Sequence, residues 1–235
     1  MNNSDFLQVI TKSFRKYLAT HPRSNEKLKI LHGALAKNLK EKLANDYSVR
    51  ALGYEKGKEQ NIQGRYIDKV VDIVVSKKEE IVAGIGIKFV MSNYGQNSNN
   101  YFESMLGETA NIRCARIPYF QILILLDEMP YYNEKGTITK VEKITEHNID
   151  KYVVLSKDNN SQYYHTPTKM LIYIVKLPEL NVSVVDNRKK YKKYYNDKNI
   201  KLSDKFNCDL FDKNIILNNY EIFIQKVFHC IEGLN

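Results

Sequence analysis

RYIDKVVDIVVSKKEEIVAGIGIKFVMSNYGQNSNNYFESMLGETANIRCAR, running from Arg65 to Arg116, is the stretch whose reading decides the fold. Two runs rich in Val and Ile, Tyr66 to Ser76 and Ile81 to Val90, flank Lys77-Lys78-Glu79-Glu80, which is too polar to bury. β-Branched runs on either side of a charged break predict a β-hairpin. Asp68 and Asp72 interrupt the first run, and Lys88 follows Gly84-Ile85-Gly86-Ile87 in the second. A charge among apolar strand residues is costly to bury without a partner. Asp72 and Lys88 are therefore expected on adjacent strands. They are either a structural ion pair or the start of an active site, and that choice decides the function.

Outward from this hairpin the chain reads as alternating elements. Phe6, Val9, Ile10, Phe14 and Tyr17 recur at helical spacing and predict a helix over Asp5 to Tyr17, broken at Thr20-His21-Pro22-Arg23. Ser24 is placed to cap a second helix, whose stripe is Leu28, Leu31, Leu35, Leu39 and Leu43. Tyr47 to Tyr54 reads as a strand, Glu55 to Gly64 as a polar loop, and Ser92 to Asn100 as a polar connection. Asn100 then caps a helix running to about Ala115, and Pro118 stops it. Tyr119 to Leu126 is almost wholly apolar, as a strand buried on both faces requires. The expectation is an α/β (α+β) fold with a mixed central sheet flanked by helices.

The signal weakens after Leu126. Asp127 to Thr145 reads as loop, Ile149 to Leu155 as a short helix or strand, Met170 to Leu177 as a strand, and Asn218 to Leu234 as a helix. With no internal repeat or long linker, residues 1–235 are expected to form one domain. Its core spans about 24–126, and the C-terminal elaboration about 127–235.

The 235 residues carry 36 Lys and Arg against 27 Asp and Glu, a net charge of +9 that favours a polyanionic partner. Three cysteines without CxxC spacing argue for a reducing compartment and against a disulfide scaffold or zinc site. The amino terminus has no secretory pattern and no apolar run reaches membrane-spanning length, so a cytoplasmic protein with no membrane partner is expected. No glycine-rich phosphate loop precedes a helix. The five histidines form no HxH or HExxH pair and are read as surface or core residues.

Asp72 in an apolar strand, a hairpin, a strand ending in x-x-Lys and then a helix together resemble the PD-(D/E)xK nuclease superfamily, its type II restriction endonucleases in particular. The resemblance covers roughly Ser24 to Leu126 as topology. It implies a restriction-endonuclease-like αβββαβ core and Mg²⁺-dependent hydrolysis of phosphodiester bonds in double-stranded DNA. Val71 stands where the family has proline. Gly86 stands where it has a second acidic residue, a carboxylate that some restriction enzymes draw from the following helix. The resemblance therefore implies Asp72, Lys88 and Glu103 as catalytic residues, with Glu108, Asp68 and Glu26 in reserve. Asp72, Glu103 and the Ile87 backbone carbonyl are its metal ligands, and Lys88 orients the attacking water.

Each residue also has a plainer reading. Glu103 is placed as the capping acid opposite Asn100, Asp68 as a solvated strand-end charge, and Glu26 as an N-terminal helix acid. DNA contacts are expected from Ser92, Asn93, Tyr94, Gln96, Asn97, Asn99 and Asn100: the Asn and Gln amides suit adenine edges, and the tyrosine suits a phosphate or a stacked base. Arg188, Lys189, Lys190, Lys192 and Lys193 of RKKYKKYY suit phosphate neutralisation or, nearly as well, a solvated helix face or a disordered loop. A palindromic target implies a homodimer, with a companion DNA methyltransferase acting on the same site. A non-catalytic DNA-binding protein on the same fold and a structure-specific repair nuclease are the alternatives.

Overall fold

Strand β6 (Tyr119–Leu126) is buried at every position because both its neighbours are parallel strands and both sheet faces are covered. The computed structural model describes residues 1–20, 24–55, 57–179 and 184–233. Helices α1 (Asn3–Ala19) and α2 (Glu26–Lys40) come first. Strands β1 (Tyr47–Ala51), β2 (Gln60–Gln63), β3 (Asp68–Val71), β4 (Ile73–Lys77) and β5 (Glu80–Val90) follow, then helix α3 (Tyr94–Arg113) and β6. The second half supplies β7 (Glu128–Tyr132), β8 (Ile138–Lys143), α4 (Glu146–Ser156), β9 (Lys169–Lys176), α5 (Arg188–Tyr195), β10 (Lys201–Leu202), β11 (Ile215–Leu217) and α6 (Tyr220–Glu232).

Among the described residues one mixed sheet runs β1-β4-β5-β6-β9-β10, with β11 on the same edge of β9 as β10. The β1-β4-β5 part is an antiparallel meander, while β5-β6-β9 is parallel. Strands from the C-terminal half thus extend the sheet begun by the first half. Side chains alternate between faces along β6. Tyr119 meets Glu108 of α3 on one face, and Ile124 lies beside Tyr173, which packs edge-on against Phe6 of α1 on the other. Phe6 also stacks on Tyr220 of α6 at 4.1 Å, joining the two ends of the chain.

The expected hairpin exists with a tighter turn. Lys78 and Glu79, both at positive φ, form it alone, and Lys77 and Glu80 are already paired. Its first arm is split. Strand β3 leaves the main sheet to pair with β2, and Asp72 sits at the break before β4. Tyr66 and Ile67, expected in that arm, lie at the exposed tip of the β2–β3 hairpin.

Three loop expectations are corrected. Gln60 to Gln63, inside the supposed polar loop, is strand β2 because Ile62 buries against Val71, Val74, Ile112 and Tyr119. The polar run Ser92 to Asn100 is largely helical, since α3 begins at Tyr94, whose buried ring anchors its first turn. Asp127 to Thr145 contains the β7–β8 hairpin, with Met129, Tyr132 and Ile138 buried. Ile149 to Leu155 is helical, and Leu43, placed on the α2 stripe, is buried just beyond the helix. Asn25 occupies the N-cap position of α2 without a side-chain cap bond, and the Ser24 hydroxyl just before it accepts the Glu26 N–H at 3.3 Å. The break expected at 21–23 and the helix end expected at Leu234 lie outside the described residues. No helix among those residues is long and apolar enough to cross a membrane.

Helix α2 crosses the turn after β1 at a pair of glycines. A Cβ on Gly33 would collide with the Gly53 carbonyl, and one on Gly53, at φ +81°, would collide with the Lys29 carbonyl. Gly→Ala in a solvent-facing helix gains about 1 kcal/mol from propensity. Here Gly33→Ala is expected to reverse that sign and lose about 1–3 kcal/mol through overpacking against backbone, as measured by urea denaturation.

Candidate active site

The break between β3 and β4 frees a carboxylate at the sheet's edge. Strand β4 pairs with β5 only from Lys77–Glu80 to Ile73–Ile85, so β5 continues past its partner. Asp72 fills the gap: its Oδ2 accepts the Ile87 N–H at 2.6 Å. The N–H and C=O of one strand residue point the same way, so the Ile87 carbonyl is directed to Asp72's side of β5. A cleft of about 450 Å³ opens there, lined by Lys69, Asp72, Lys88, Tyr101, Glu108 and Gln121, among others.

Burial raises Asp72 from its ordinary 3.8 to about 6; the Ile87 N–H opposes this, Glu108 reinforces it, and Lys69 and Lys88 pull the value down. Lys88 projects into the cleft with Nζ 4.4 Å from the centre of the Tyr101 ring. It is exposed and its charge acts on Asp72, although the two are not an ion pair within contact distance. The second carboxylate of the cleft is Glu108. It pairs with Lys69 at 2.7 Å and accepts a short hydrogen bond from the Tyr119 hydroxyl.

That hydroxyl also explains Gly86. A Cβ there would lie 2.5 Å from Tyr119 Oη and 2.9 Å from Gln121 Oε1. The space an acidic side chain would need at position 86 is already filled by β6.

The other expected site residues lie elsewhere. Glu103 is exposed on α3 outside the cleft, and its charge acts on Lys151. It is mid-helix, so it does not cap against Asn100. Asp68 is exposed opposite Gln63, and Glu26 pairs with Lys29 at 2.5 Å on the outer face of α2.

Of the polar run, Asn100 lines the cleft. Asn93 is structural: its side chain gives and takes hydrogen bonds with the Tyr132 backbone at 3.0 Å each. Tyr94 is buried, Ser92 half-buried, and Asn97 donates to the Asn93 carbonyl. Gln96 accepts from the Tyr131 hydroxyl and Asn99 from Lys151.

The basic tract is a real helix, α5, anchored by buried Tyr191 and Tyr195. Arg188 stacks over Tyr132, Lys190 pairs with Asp186 and Lys192 donates to the Thr20 carbonyl. Lys189 and Lys193 remain on the exposed side.

Two residues of the neighbourhood carried no sequence signal as a pair. His32, read as surface or core, is wholly buried on α2 with Nδ1 3.9 Å from Asp72 Oδ1. Desolvation lowers its pKa to about 4, against the pull of Glu59. Glu59 comes from the segment read as polar loop, and the ligand atoms of His32, Glu59 and Asp72 lie within 4.8 Å of one another. A polar residue beside the Leu31 and Leu35 stripe of α2 is the one trace of this in the sequence. His21 lies outside the described residues.

No family model matches the chain, and it matches neither a curated protein nor a solved structure.

Asp72 also sets a pH dependence of stability. Its folded value lies above the ordinary one, so the folded state holds the proton more tightly. Its contribution to stability is fully present below about pH 3.8 and is lost as pH rises through about 6. Asp72→Asn keeps an acceptor for the Ile87 N–H and removes the buried charge. It should match wild type near pH 4 and exceed it by an amount on the order of 1–3 kcal/mol at pH 8, measured by urea denaturation without divalent metal.

Proposed function

We propose that the chain is a Mg²⁺-dependent DNA endonuclease of the type II restriction kind, built on a PD-(D/E)xK core. The observation that carries the reading is one cleft that collects Asp72, Glu108, Lys88 and the Ile87 carbonyl from three elements. The order α2, β1-β4-β5 meander, α3, parallel β6 supports it, because this is the succession the αβββαβ core requires. The second carboxylate is assigned to Glu108, the reserve residue, in place of Glu103.

The donor set fits the metal. Asp72 and Glu108 offer carboxylate oxygens and Ile87 a neutral carbonyl oxygen, the hard ligands Mg²⁺ prefers. When bound, Mg²⁺ offsets charge on the phosphate and acidifies a coordinated water. The chain does the rest. Lys88 holds the attacking water and stabilises charge developing on the phosphoryl oxygens. Tyr101, beneath the Lys88 ammonium, fixes that side chain in the cleft. Lys69 at the cleft wall and the net charge of +9 draw the DNA backbone in, with Asn100 at the rim. A palindromic target would be read by two copies, and a companion methyltransferase would protect the host's own sites.

Incubation of the protein with plasmid and phage DNA in Mg²⁺ should give discrete fragments that persist on extended digestion. Asp72→Asn, Lys88→Ala and Glu108→Gln should each slow cutting by at least about 100-fold, while Glu103→Gln should stay within about threefold of wild type. Retarded but uncut DNA would make the protein a binder. Cutting confined to junctions or ends would make it a repair nuclease. Normal cutting by Lys88→Ala would overturn the site.

A further inference from the structure

We propose that His32, Glu59 and Asp72 form a second cation site on the α2 side of Asp72, one that takes a transition-metal dication such as Mn²⁺ in preference to Mg²⁺. It shares Asp72 with the nuclease reading and needs nothing else from it.

The argument begins with an unsatisfied group. The His32 side chain is 0% exposed, and both of its ring nitrogens lack a hydrogen-bond partner. Buried polar atoms in folded proteins nearly always have one, and leaving a donor or acceptor bare costs about 1–3 kcal/mol. An imidazole that only filled core volume would be served better by an apolar side chain. His32 is instead directed at a carboxylate it does not hydrogen-bond: Nδ1 stands 3.9 Å from Asp72 Oδ1. That gap is too long for a hydrogen bond and suited to two ligands of one ion. Ligands at metal bond lengths of about 2.1 Å stand roughly 3–4.3 Å apart. The three ligand atoms lie within 4.8 Å of one another, close to the spread of one coordination sphere.

Three separate parts of the chain supply the donors. His32 comes from the middle of α2, Glu59 from the segment entering β2, and Asp72 from the β3–β4 break. The carboxylate pair supplies two negative charges that a dication offsets. The imidazole sets the preference. Mg²⁺ binds oxygen almost exclusively, whereas a mixed nitrogen and oxygen set suits Mn²⁺, Fe²⁺, Co²⁺ or Zn²⁺. Asp72 then faces two ways: toward the Ile87 N–H and the cleft, and toward His32 and Glu59.

The test is Mn²⁺ binding to the whole protein without DNA, followed by electron paramagnetic resonance. Bound Mn²⁺ should show electron spin-echo modulation from an imidazole nitrogen. That signal should vanish in His32→Gln and persist in Glu108→Gln. Because His32 is buried, Glu59→Gln provides a second, less intrusive variant. It should weaken the nitrogen-coupled Mn²⁺ by at least about tenfold, and a hundredfold excess of Mg²⁺ should fail to displace that ion from wild type. Absence of nitrogen coupling in wild type, its survival in His32→Gln, or displacement by Mg²⁺ would overturn the site. Cleavage in Mg²⁺ is read separately. Cutting without nitrogen coupling sinks this site alone, and coupling without cutting sinks the nuclease alone.

Discussion

A side chain standing in for a strand is the constraint on which this molecule turns. Strand β5 is eleven residues long, but β4 covers only part of it. At the point where the ladder ends, the Asp72 carboxylate takes the Ile87 N–H that a backbone carbonyl would otherwise accept. This closes the sheet edge without another strand. It also leaves a charged group lodged between sheet and cleft, where desolvation works against ionisation.

The departure of β3 is what makes room. Had the chain run straight from Asp68 to Lys77 beside β5, Asp72 would have been one more ladder residue. The pairing of β3 with β2 instead pulls the chain away, with Ile62 and Val71 seated over Val74 and Tyr119. A small apolar cluster under a polar hairpin therefore creates the cleft. The same Tyr119 closes off the side-chain space of Gly86 and binds Glu108. One tyrosine of β6 excludes an acid from β5 and recruits another from α3.

Much of the fold was legible in the sequence, and for local reasons. The turn at Lys78 and Glu79, the doubly buried run of β6 and the stripes of α1 and α2 each express burial within a few consecutive residues. The β2–β3 and β7–β8 hairpins were not, because single residues such as Ile62 and Met129 hold them against partners distant in sequence. Helix α3 was placed late for a similar reason. Its polar first turns are held by Tyr94 and by the grip of Asn93 on the Tyr132 backbone, neither of which has a periodic signature.

The sequence by itself determined a mixed sheet flanked by helices and the β4–β5 hairpin, with Asp72 just before its first arm and Lys88 on its second, beyond the end of their pairing. Both follow from the alternation of apolar and polar residues, which is a property of neighbours along the chain. Tertiary structure alone decided which acid joins them. Glu103 and Glu108 stand five residues apart, about 140° around a helix axis, so at most one can face the cleft. The choice is made by a hydroxyl on β6 and a lysine on β3. The meeting of His32, Glu59 and Asp72 was equally beyond the sequence, since each arrives on a separate element and only packing brings them together.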